Sequence, residues 1–211
     1  MTTVLVLVGS LRADSVNRAI AHSAQEAAPE GVQVRIARGL ERLPFYSDDV
    51  DGPEVPETVT ELRRQVADSD ALLVITPEYN GGLPAVIKNA IDWASRPYGE
   101  APIKGKPVGA IGAALSQYGG QWAQQEALKA AGIAGGAPHD EPTASLPISR
   151  LGENPAEHDE VVGALVVLDH LVRDAPEGPG DVTGTENGAA GLGRITSGRG
   201  YVCVGTRHSA D

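Results

Sequence analysis

Ten consecutive residues, Gly9-Ser10-Leu11-Arg12-Ala13-Asp14-Ser15-Val16-Asn17-Arg18, include the hydroxyls of Ser10 and Ser15, the guanidinium of Arg12 and the amide of Asn17. Hydroxyls and amides donate hydrogen bonds, and Arg can meet two oxygens of one anion together. The segment follows the aliphatic run Val4-Leu5-Val6-Leu7-Val8 and precedes Ala19 to Ala28, which reads as a helix. A helix amino end directs free N–H groups and a positive dipole at the same spot, so the chemistry of the loop is that of a phosphate site. It has one glycine and is neither a P-loop nor a GxGxxG turn. Capping of the helix by Ser15 or Asp14 accounts for some of the same residues and is compatible with anion binding.

A second stretch, Thr76-Pro77-Glu78-Tyr79-Asn80-Gly81-Gly82-Leu83-Pro84, suits a flat, partly polar ligand. Tyr79 offers an aromatic face and Asn80 an amide, while Gly81 and Gly82 let the backbone approach closely. An ordinary strand-to-helix turn would use similar residues. A third loop, Leu115-Ser116-Gln117-Tyr118-Gly119-Gly120, has the same mixture of hydroxyl, amide, aromatic and glycine.

These loops need positioning elements, and the hydrophobic pattern supplies them. Val4–Val8, Gly31–Ala37, Ala71–Ile75, Lys106–Ala114 and a weaker Thr143–Ile148 read as strands. Helices are expected at 19–28, 55–68, 83–93, 121–131 and 156–173. Short alternation of this kind implies an α/β fold, a doubly wound parallel sheet with helices on both faces. Five strands suit the flavodoxin-like order 2-1-3-4-5, whose switch point lies between strands 1 and 3. The loops at 9–17 and 76–82 follow those two strands and would flank that point together. Between them, Leu43 to Pro53 reads as an exposed loop whose acidic residues form a solvated surface.

With 17 basic and 28 acidic side chains the 211-residue chain has a net charge of −11, which argues against nucleic acid as a partner. No stretch approaches the roughly 18 apolar residues of a membrane span. The start lacks a basic leader, a single cysteine forms no internal disulfide, and the simplest location is the cytoplasm.

Taken together, the motifs Gly9–Asn17, Leu43–Asp49, Thr76–Pro84 and Lys88–Ser95 resemble the NADPH-dependent FMN reductases, over roughly residues 3–174. The resemblance implies that Ser10, Arg12, Ser15, Val16 and Asn17 hold the FMN phosphate. It implies that Pro77, Glu78, Tyr79, Asn80 and Gly81 line the isoalloxazine, with Ser116, Tyr118 and Gly119 at its other side. It further implies NADPH or NADH as electron donor, a small acceptor such as a quinone, and a homodimer or homotetramer. Backbone N–H groups of residues 78–81 are expected to face negative charge on the reduced flavin. Asp92 and Trp93 are expected to be structural or interfacial.

His139-Asp140-Glu141 and His158-Asp159-Glu160 are expected to be surface or capping residues, and no metal site is expected. Residues 175–211, rich in glycine and containing Cys203 and His208, read as an extension that is flexible or covers an interface. Two other functions share these motifs. One is a flavin reductase that hands reduced FMN to a monooxygenase; the other is an electron carrier without nicotinamide activity. Nothing in the residues commits an Arg or Lys to the 2′-phosphate that separates NADPH from NADH.

Overall fold

A computed structural model describes residues 1–139, 142–152 and 154–175. The expected features at Asp140, Glu141, Cys203, His208 and in the extension beyond residue 175 lie outside these.

Aliphatic strands with no polar face must be covered on both sides, and the sheet is built that way. β1 (Thr2–Val8) lies between β2 (Val32–Ile36) and β3 (Ala71–Thr76), and β4 (Pro107–Ala114) follows β3. All pairings are parallel, with Val4 opposite both Val34 and Ala71, and Leu72 opposite Val108. The order is 2-1-3-4-5, as the sequence implies.

The fifth position differs from the single strand expected there. It is shared by β5 (Ala137–Pro138), beside Pro107–Val108, and β6 (Ala144–Pro147), beside Ile111–Ala114. Pro138 has no N–H to extend the ladder, so the first piece stops after two residues.

Alternate residues of the strands build two cores. Val4, Val6, Leu73, Ile75 and Ile111 meet α1 (Val16–Glu26), α5 (Asp159–Ala164) and α6 (Val167–Asp174) on one face. Leu5, Leu7, Leu72 and Val74 meet α2 (Glu57–Ala67), α3 (Ala85–Ala94) and α4 (Gln121–Ile133) on the other. Each fully buried aliphatic side chain contributes about 1.5–3 kcal/mol.

The last helix is not continuous. His158, in an extended conformation, accepts from Glu160 N–H at 3.2 Å through Nδ1 and so caps α5. Gly163, a poor helix former, then precedes a tight turn at Leu165–Val166 that separates α5 from α6.

The acidic loop after β2 is more constrained than a solvated surface. Pro44 O accepts from Asn89 Nδ2 (2.9 Å) and from Trp93 Nε1 (2.8 Å), while Tyr46 N–H donates to Asn89 Oδ1. Asp48 accepts from the Tyr46 hydroxyl, and Asp51 pairs with Arg63 at 2.8 Å with both side chains largely covered. Trp93 is wholly buried, and Asp92 pairs with Lys88 on α3, which are structural roles.

Candidate functional site

β1, β3 and β4 are adjacent, so the loops that leave their carboxyl ends converge. Ser10, Ser15 and Asn17 in the first loop are all buried. Ser15 occupies the N-cap position of α1 in an extended conformation, yet its side chain makes no capping hydrogen bond. Neither its hydroxyl nor that of Ser10 is engaged elsewhere among the described residues. Arg18 and Ala19 N–H groups donate to Ser15 O, but nothing described accepts from the N–H groups of Val16 and Asn17. A helix therefore starts here with its donors unspent. Arg12 is exposed and donates to Asp14 O at 3.2 Å, which folds the guanidinium back over its own loop.

Asn17 does something the sequence does not reveal. Its Nδ2 donates to Ala113 O at 3.1 Å and ties α1 to the end of β4, while its buried Oδ1 has no partner. An orphan acceptor suits a hydroxyl group better than a phosphate oxygen.

The second loop is a tight hairpin. Tyr79 and Gly82 exchange both backbone hydrogen bonds at 3.1 Å, with Asn80 at φ 52° and Gly81 at φ 75° between them. Two successive positive φ angles define the type I′ turn that Asn-Gly favours. The Tyr79 N–H is consumed in this turn, so among residues 78–81 the free donors are the N–H groups of Glu78, Asn80 and Gly81. Pro77 is buried, and the Tyr79 ring is 54% exposed.

Glu78 is spent on architecture. Its Oε2 accepts from Trp122 N–H (2.9 Å) and Ala123 N–H (3.2 Å), which caps the start of α4. In return, Glu126 of α4 accepts from Leu83 N–H. Two carboxylates thus clasp the second loop to the first turns of α4 in both directions.

In the third loop the buried Oγ of Ser116 has no partner. Gly119 sits at φ 59°, where an added Cβ would lie 2.5 Å from Leu146 N, and its carbonyl accepts from Leu146 N–H. Tyr118 and Trp122 stack at 4.9 Å between centroids, each ring 45% exposed. The Trp122 ring also reaches the Asn80-Gly81 turn, 3.8 Å from where a Cβ on Gly81 would stand. Trp122 was not among the residues singled out from sequence. Its signal would have been an indole in the first turn of a helix, directly after Gly119-Gly120.

All thirteen candidate residues lie on these three loops or, for Val16 and Asn17, in the first turn of α1. The donor set fits a flavin mononucleotide. The unengaged hydroxyls of Ser10 and Ser15 and an uncapped helix start suit its phosphate, the Asn17 oxygen its hydroxylated chain, and the aromatic and glycine turns its ring. No group of three or more His, Cys, Asp or Glu side chains among the described residues could hold a metal.

The family model for NADPH-dependent FMN reductase matches residues 2–149. A 2-hydroxy-1,4-benzoquinone reductase from Burkholderia sp. is 45% identical over 121 residues, 54% of this chain and 65% of that protein. A quinone reductase from Pseudomonas putida is 41% identical over 118 residues, 56% of this chain and 63% of that protein. The chain thus spans slightly less than two-thirds of the length of these relatives. Among solved structures, the flavoenzyme FerB, an NAD(P)H:(acceptor) oxidoreductase from Paracoccus denitrificans, superposes with a TM-score of 0.73 at 34% identity, covering 82% of this chain and 96% of its own.

Proposed function

The chain belongs to the NADPH-dependent FMN reductase family, and from that premise we propose that it is an FMN-dependent NAD(P)H oxidoreductase acting on quinones or similar small acceptors. The observation that carries this reading is the start of α1. A serine stands at its N-cap without capping it, near Ser10, a second largely buried serine whose hydroxyl is unengaged among the described residues.

In this reading Ser10, Arg12, Ser15 and the N–H groups of Val16 and Asn17 hold the phosphate, and Asn17 Oδ1 accepts from a ribityl hydroxyl. Pro77 and Tyr79 border the ring on one side, with Ser116, Tyr118 and Gly119 on the other. The N–H groups of Glu78, Asn80 and Gly81 supply fixed donors where negative charge develops, at no cost of reorganisation. Glu78 contributes through its backbone, its carboxylate holding α4. Bound FMN supplies the redox chemistry, by which NAD(P)H, a proton and a quinone become NAD(P)+ and hydroquinone. The protein's part is to hold the reacting rings in contact and to exclude water, so no side-chain acid or base is required. The same reading has residues 1–174 as the flavin domain and 175–211 as an appendage, with the protein a cytoplasmic homodimer or homotetramer.

The test is an absorption spectrum of the protein purified or reconstituted with FMN, followed anaerobically by NADPH or NADH and then by a benzoquinone. Bleaching by coenzyme and recovery with quinone are expected. A protein that cannot be loaded with FMN sinks the reading, and a loaded one that neither coenzyme bleaches is an electron carrier instead.

A further inference from the structure

Beside the phosphate loop, on its side away from β3, lies a second cavity of about 630 Å³. It opens at the carboxyl end of the outer strand β2 and is lined there by Arg35, Ala37, Arg38 and Gly39. Arg18 of α1 enters from one flank, and Gln65 and Arg64 of α2 from the other. Leu11 belongs both to this lining and to the phosphate loop, so the two sites share a wall.

The arginines of this cavity fall into two groups. Arg64 is satisfied by Glu61 at 2.9 Å and by Asp68 at 2.8 Å. Arg18, Arg35 and Arg38 bond to no carboxylate among the described residues, although Glu41 also lines the cavity and Arg38 lies within electrostatic range of Glu61. Arg35 donates to the neutral Gln33 at 2.8 Å. Arg38 has its backbone N–H and carbonyl clamped by the Gln65 amide at 2.9 and 3.2 Å, which fixes the base of its side chain. Arg18, Arg35 and Arg38 line one cavity, and four arginines there face the three carboxylates of Glu41, Glu61 and Asp68, two of which are hydrogen-bonded to Arg64. Cationic groups with no hydrogen-bonded carboxylate among the described residues therefore remain to meet an anion.

We propose that this cavity receives the adenosine 2′-phosphate of NADPH, with Arg18, Arg35 and Arg38 as its ligands. The inference rests on the oxidoreductase reading above. It accounts for position as well as charge. Neighbouring strands are about 4.8 Å apart, so the loops after β3 and β4 that border the ring lie two to three strand spacings, roughly 10–15 Å, from the end of β2. A dinucleotide with its nicotinamide on the flavin ring covers that span. In other nucleotide-binding α/β sheets a nearby acidic group holds the ribose hydroxyls and an Arg replaces it where a 2′-phosphate is bound. Here the first residues after β2 are Ala37-Arg38-Gly39. A phosphate monoester carries nearly two charges and is met by forked guanidiniums, whereas NADH offers this cavity only a neutral hydroxyl.

The experiment compares the FMN-loaded wild type with the double variant Arg35→Gln/Arg38→Gln. Anaerobic flavin bleaching is followed as a function of NADPH and of NADH, and binding of 2′,5′-ADP and inorganic phosphate is measured by calorimetry. The double variant is expected to need about 10- to 100-fold more NADPH for half-maximal bleaching, with NADH and FMN affinity unchanged. It is expected to lose 2′,5′-ADP binding in parallel. Equal effects on the two coenzymes, or none on either, overturn the proposal. So does inorganic phosphate binding as tightly as 2′,5′-ADP, which makes the cavity a general anion site. A wild type that binds 2′,5′-ADP through these arginines yet is bleached by neither coenzyme retains the phosphate site and loses the oxidoreductase reading.

Discussion

At the amino edge of the sheet, Thr3 and Asp70 exchange hydrogen bonds, Thr3 N–H to Asp70 Oδ2 at 2.7 Å and Asp70 N–H to Thr3 O at 2.8 Å. Lys106 donates to the carbonyls of Ser69 and Ala67, and Gly105 N–H to Gly135 O. The carboxyl edge differs. There the start of α1 is uncapped, the hydroxyls of Ser10 and Ser15 are unengaged among the described residues, the buried Asn17 Oδ1 and Ser116 Oγ have no partner, and the Asn80-Gly81 turn leaves donors free. Buried polar groups are costly without partners, so an edge that retains them was shaped by something other than its own stability. The same strands thus end in a braced edge and in a receptive one.

The largest effect is expected where the receptive edge is itself held by backbone contact. Gly119→Ala would place a Cβ 2.5 Å from Leu146 N at φ 59°. We expect a loss of about 2–4 kcal/mol in urea unfolding, together with loss of FMN retention. Arg12→Gln separates the two properties. FMN affinity should fall about 10- to 100-fold by fluorescence titration, while unfolding of the FMN-free protein stays within about 0.5 kcal/mol of wild type. Asp70→Ala is the converse, and costs about 1–3 kcal/mol of stability by leaving Thr3 N–H unpaired, with FMN affinity unchanged. If Asp70→Ala weakened FMN, or Arg12→Gln destabilised the fold instead, the contrast between the edges would fail.

The smallest effect concerns a residue at neither edge. Partial burial, and then the hydrogen bond to Asp48, raise the Tyr46 phenol above its ordinary value of 10.0, against the pull of Arg96. The folded protein therefore keeps this proton after the unfolded chain has lost it. Its contribution is complete below pH 10.0 and disappears as pH rises through the higher folded value. Tyr46→Phe should flatten that part of the alkaline loss of stability, read as urea midpoint against pH.

Much of this was legible in the sequence because it is local. Val4–Val8 and Ala71–Ile75 are continuous aliphatic runs, and the loops behind them carry their chemistry within ten residues. Less legible was whatever depends on partners far along the chain. Glu78 sits inside the most distinctive motif, yet its carboxylate serves Trp122 and Ala123, 44 and 45 residues later. The solvated surface expected of Leu43–Pro53 ignored Asn89, Trp93 and Arg63, which hold that loop from two other elements. A two-residue strand containing proline, such as Ala137–Pro138, has no periodicity to detect.

The reciprocal clasp of Glu78 and Glu126 has a consequence for protein engineering. Grafting the 76–84 loop alone from a homologue would leave a foreign residue facing the α4 amino end and Glu126 facing a foreign backbone. The loop and the start of α4 form one exchangeable cassette, so libraries that vary this edge should recombine residues 76–84 and 115–126 as a matched pair.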